Sequence, residues 1–131
     1  MSETPFPPAA APAGALPSFD PREALERLAG DEELLVEVVE LVHEEWLRQS
    51  AALETAFRQA APAAVAAAAH ALKGVLGQLF SESLSAGVAQ VERAARAGDL
   101  PAAEAAWRST VPEIAPQVAA ARGWAGERQE G

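Results

Sequence analysis

The sequence predicts an all-α protein, arranged as an antiparallel up-down four-helix bundle with a short additional N-terminal helix. Three observations carry that expectation. Half of the 131 residues are hydrophobic, yet much of that share is alanine, with four Phe, three Trp and no Tyr. Small side chains let helices pack closely, and the β-branched and aromatic residues that fill strands are scarce. Apolar positions also recur at the helical period in four long segments, and the breaks between them are short.

Met1 to Pro17 is mostly Pro and Ala, buries too little to order itself, and is expected to be a disordered arm. The bundle is expected from residue 18 to residue 122. Ser18-Phe19-Asp20-Pro21 reads as a helix start, with Glu23 in the first turn. The first helix should run from Pro21 to Ala29, present Leu25 and Leu28, and stop at Gly30. Asp31 then caps a second helix extending to about Ala60, with Leu34, Leu35, Val38, Leu41, Val42, Trp46, Leu53 and Ala56 facing inward. Glu33, Glu37, Glu40 and Glu44 form its outer stripe, which reads as a solvated face. Glu45 and Gln49 interrupt the apolar stripe, so the helix either bends there or is exposed at that level.

Pro62 suits the first turn of a third helix. Eight of the eleven residues from Ala61 to Ala71 are alanine, which gives this segment high helical propensity. Ser81 is placed to cap a fourth helix, with Glu82 at its positive end and Leu84, Val88, Val91 and Ala95 as the buried stripe. Gly98 ends it. Asp99 starts a fifth, where Pro101 fits the first turn. Trp107, Val111, Ile114 and Val118 keep the helical period through Pro112 and Pro116, which predicts a bent helix and no break. Residues 123–131 are expected to fray.

The third helix carries the chemistry. At about 100° per residue, Val65, Ala68, Leu76 and Leu79 fall within about 40° of Leu72 and define the buried stripe. On the far side lie Ala66, His70, Lys73, Gly74 and Gly77. One imidazole and one ammonium therefore share a face built from alanine and glycine. Glycine in a helix interior costs about 0.5–1 kcal/mol relative to alanine, so two of them beside a histidine mark a surface that something approaches closely. Lys73 follows His70 by three residues and can reach an anion carried on the ring. A histidine can hold a covalent phosphoryl intermediate, and phosphoryl transfer asks mainly for positioning and charge stabilisation.

His70-Ala71-Leu72-Lys73-Gly74, late in an alanine-rich helix that follows a long acidic one, resembles the histidine-containing phosphotransfer domain of bacterial two-component phosphorelays. The resemblance spans roughly Phe19 to Ala121. It implies that His70 accepts a phosphoryl group from the aspartyl phosphate of a receiver domain and passes it to another receiver. It implies that Lys73 steadies the phosphoryl group and that Gly74, with Gly77 and Ala66 on the same face, admits the partner. The partners so implied are response-regulator receiver domains and a hybrid sensor histidine kinase. The chain departs from the family at Phe80, ten residues after the histidine, where the family usually has a second glycine. Near 80° on the wheel, Phe80 flanks Lys73, and its expected effect is to narrow docking or select partners. The alternative is a degenerate bundle that binds receivers as an adaptor without phosphotransfer.

Other functions are excluded by composition. Nineteen acids against ten Lys and Arg give a net charge of −9, which repels nucleic acid and anionic membranes. The absence of cysteine removes disulfides, thiolate metal sites and thiol catalysis. The first twenty-one residues hold no Lys or Arg and no apolar core of the secretory kind, and charges interrupt every candidate span, so a soluble, cytoplasmic protein is expected. There is no glycine-rich phosphate loop, so no kinase activity, bound ATP or other cofactor is expected. No metal is expected either; by the resemblance, the ion needed for transfer belongs to the receiver. His43, the other histidine, lies beside Glu44 and Glu45 without glycine or lysine, and carries neither a phosphoacceptor nor a metal-site assignment.

Overall fold

In the computed structural model, which describes residues 19–130, Asp20 adopts extended backbone and its carboxylate accepts hydrogen bonds from the amides of Arg22 and Glu23. Two of the donors that a helix start leaves unpaired are thereby satisfied, and Pro21 follows where no amide proton is needed. The expected arm, Met1 to Pro17, lies outside the described residues. Helix α1 spans Pro21–Arg27. It stops short of the expected Ala29 because Ala29 (φ 57°) and Gly30 (φ 80°) turn into the left-handed region, and the Gly30 amide closes the end on the Leu25 carbonyl at 2.8 Å. Ala24 is its fully buried residue, and Leu25 and Leu28 are only partly covered.

Helix α2, Glu32–Arg58, begins at Asp31, whose side chain accepts from the Leu34 amide at 3.0 Å. Its core face is Leu35, Val39, Val42, Trp46, Leu53 and Ala56. Leu34 and Leu41, expected inside, are exposed, and Val38 is half-buried. The reason is local: from Leu34 to Val42 seven of nine residues are apolar, so hydrophobicity alone does not orient this stretch. The neighbouring helices do. The helix stays continuous past Glu45, which is half-buried and pairs with Arg48 and with Gln49 on the surface. That level is therefore partly exposed.

Helix α3 covers Pro62–Leu76, α4 covers Glu82–Arg96 and α5 covers Leu100–Glu130. Ser81 stands at the N-cap of α4, but its side chain makes no capping bond, contrary to expectation. Asp99 does cap α5, accepting from the Ala102 amide at 3.1 Å. α5 runs unbroken through Pro112 and Pro116 and continues to Glu130, past the expected end at residue 122. Packing explains the extension: Trp124 meets Phe19 edge-on at 6.1 Å, Ala125 is fully buried, and the Arg128 guanidinium lies 4.7 Å from the Trp124 ring.

All secondary structure among the described residues is helical. α2 packs on α1, α3 and α5, and α4 packs on α3 and α5, around one core that includes Trp107, Leu53, Leu72, Leu76, Ile114 and Val88. α2 and α5 are also tied by polar bonds. Glu54 accepts from the Trp107 indole at 2.9 Å and from both terminal nitrogens of Arg108 at 2.6 and 2.8 Å, a forked charge-assisted contact. Beside it Trp46 and Trp107 lie 5.8 Å apart. α4 and α5 approach closely at Gly87, where an added Cβ would overlap the Thr110 side chain. No helix among the described residues is long and apolar enough to cross a membrane.

Candidate functional site

The alanine run of α3 delivers His70 to the surface. Val65, Ala68, Ala69, Leu72 and Leu76 bury one face of the helix, which leaves the His70 side chain pointing outward with 64% of its surface exposed. Its Nδ1 lies 3.0 Å from Oε2 of Glu92 on α4. An ionised carboxylate only accepts, so Nδ1 carries the proton and donates it. In the neutral ring Nε2, on the far edge, then keeps its lone pair. The bond fixes both the tautomer and the orientation of the ring.

Glu92 is the residue that sequence reasoning missed. Its side chain is only 8% exposed, and a buried carboxylate needs partners. It has three: Lys73 Nζ at 2.9 Å from Oε1, His70 Nδ1 on Oε2, and Arg96, whose Nε and terminal nitrogen meet Oε2 at 3.0 and 2.6 Å. The hydrogen bond from Lys73 chiefly, with help from Arg96 and His70 and against the opposing effect of burial, lowers its pKa from 4.5 to about 2. A signal was present: Glu92 stands on the edge of the stripe of Leu84, Val88, Val91 and Ala95, four residues before an arginine.

Glu54 is held down to about 2 as well, first by Arg108 and then by Trp107. Both carboxyls thus bind protons more readily in the unfolded chain, so their contribution is complete above pH 4.5 and is lost as the pH falls toward 2. Thermal midpoints followed by circular dichroism are expected to fall through this window, and Glu54→Gln to flatten the fall. An equally steep fall in the variant would remove Glu54 from the account.

The other expected site residues divide. Lys73 is half-buried and engaged by Glu92, so it is not a free cation. Gly74 and Gly77 are exposed beside His70; a Cβ at Gly74 meets nothing within 4 Å, and one at Gly77 meets only carbonyl oxygens at ordinary contact distance. Neither glycine is required by crowding within the fold. Ala66 is 6% exposed and faces the α3–α4 side, so it does not belong to the open surface as expected. The simple wheel misplaced it because α4 covers that flank. Phe80 is 7% exposed and packs edge-on against Phe19 at 6.0 Å. It lies in the core and not on the open surface that the wheel predicted. The turn after Leu76 ends the helical geometry that the wheel assumed. His43 is half-buried, apart from the Glu92 cluster. No group of three His, Asp or Glu among the described residues is arranged to hold a metal ion.

The resulting site is an oriented imidazole on an uncrowded surface, backed by a buried anion and two cations. Through the free Nε2 edge such a group can act as a nucleophile. Comparison of the chain with protein-family models, with curated proteins and with solved structures gives no match.

Proposed function

We propose that the chain is a histidine phosphotransfer protein of a two-component phosphorelay, accepting a phosphoryl group on His70 from the aspartyl phosphate of one receiver domain and passing it to another. The observation that carries this reading is the 3.0 Å contact between His70 Nδ1 and buried Glu92 on an otherwise open helix face. In the proposed step the Nε2 lone pair attacks phosphorus in line. The P–O bond to the receiver's aspartate breaks, and its electron pair stays on that carboxylate. The proton on Nδ1 remains directed at Glu92, which offsets the positive charge the ring gains. No base is needed to activate the nucleophile, because the tautomer is already correct.

Under this reading the fold is an antiparallel up-down four-helix bundle of α2 to α5, with α1 as the additional N-terminal helix. The short connections at Gln59 to Ala61, Gly77 to Ser81 and Ala97 to Asp99 support that arrangement. The partners are response-regulator receivers and a hybrid sensor histidine kinase, and the compartment is the cytoplasm. Incubation with a phosphorylated receiver should transfer a phosphoryl group that is acid-labile and base-stable. Gly74→Gln should leave the fold intact, because an added Cβ meets nothing within 4 Å, and should cut transfer from the receiver at least about tenfold by obstructing approach. Normal transfer by this variant would refute docking across Gly74.

A further inference from the structure

We propose that Arg96 supplies the net positive charge that allows the His70 face to accept a phosphoryl dianion. The proposal deepens the relay reading and rests on it for the identity of the ligand. Lys73 is the only formally charged residue of α3, and its ammonium sits 2.9 Å from Glu92. One cation on one anion leaves no surplus, so the Lys73–Glu92 pair alone would present an incoming dianion with a neutral surface. Arg96 changes the balance. Its guanidinium meets the same Oε2 that receives the His70 proton, which places a second cation at the side of the ring. It does so without being buried: 61% of the side chain is exposed, leaving donors of its five-proton fork free for an oxygen arriving on the ring.

Placement separates Arg96 from its neighbour Arg93. Arg96 borders the surface groove formed with Pro62, Ala63, Ala66 and Ala67 of α3, the helix that bears His70. Arg93 borders a different groove, formed with Ala102, Ala106 and Ser109 of α5. In a chain of net charge −9 a positive surplus has to be local, and Arg96 provides it here.

Potassium phosphoramidate tests this without any receiver. Its nitrogen leaves as ammonia when the P–N bond breaks and the Nε2–P bond forms, and uptake is followed by ³¹P NMR. Arg96→Gln keeps an amide able to donate to Glu92 but removes the charge; Arg96→Lys keeps the charge without the fork. The Gln variant is expected to take up phosphoryl about fivefold more slowly at low salt, the deficit shrinking at about 0.5 M salt, with the Lys variant close to wild type. Wild-type rates in the Gln variant, or a Lys variant as slow as Gln, would overturn the proposal, as would a wild-type chain that takes nothing from phosphoramidate. Uptake from phosphoramidate but none from phosphorylated receivers would defeat the relay reading, while the two variants still decide the role of Arg96.

Discussion

His70→Gln is expected to take up no detectable phosphoryl group from a phosphorylated receiver while keeping the helicity and melting temperature of the parent chain. The uptake is lost because glutamine has no nucleophilic ring nitrogen. The fold should survive because most of the ring surface is exposed and no core residue depends on it. Glu92→Gln should lie between the two: the ring keeps a neighbour of similar shape but loses the anion that balances its developing charge. Uptake about 10- to 100-fold slower is expected, the range for removing one preorganised electrostatic partner. Labelling of the His70→Gln chain, read by autoradiography after base treatment, would move the phosphoacceptor elsewhere.

Gly87→Ala is expected to lower the melting temperature by about 5–10 °C. The new methyl would overlap Thr110 Oγ1 and stand 2.7 Å from Thr110 Cβ, and the second contact cannot be relieved by turning the threonine side chain. α4 and α5 must separate instead. Overpacking of this kind costs about 1–3 kcal/mol, against which alanine returns up to about 1 kcal/mol of helix propensity. For a domain of this size, between the small and mid-sized classes, each lost kcal/mol lowers the midpoint by about 4 °C. Thr110→Gly introduced with Gly87→Ala should lose less than the sum of the two single changes, because the clash is shared. An unchanged midpoint for Gly87→Ala, measured by calorimetry, would show that the helices are not held at this distance.

The helices were legible because each rests on local rules. Asp20, Asp31 and Asp99 act at their caps as the sequence suggests, and the stripe of α4 is buried as expected. What was not legible depends on neighbours. Leu34 and Leu41 look like core residues but point outward, since only the seating of α2 against α3 and α5 chooses among its many apolar positions. Ala66 and Phe80 fail for related reasons: a wheel knows nothing of the helix alongside, nor of where the turn after Leu76 begins. At the site, His70, Lys73 and Gly74 could be grouped by angle because they share one helix. Glu92 lies 22 residues away from His70 and is joined to it only by packing of α3 against α4.

The alanines of α3 carry a further consequence. Ala63, Ala64 and Ala67 are exposed, while Val65, Leu72 and Leu76 hold the same helix in place from behind. Larger or charged side chains can replace these three without disturbing the interior, and most keep adequate helical propensity. Mutation can thus reshape this surface almost independently of what keeps the molecule folded, so change in its outline need not wait for compensating repairs elsewhere.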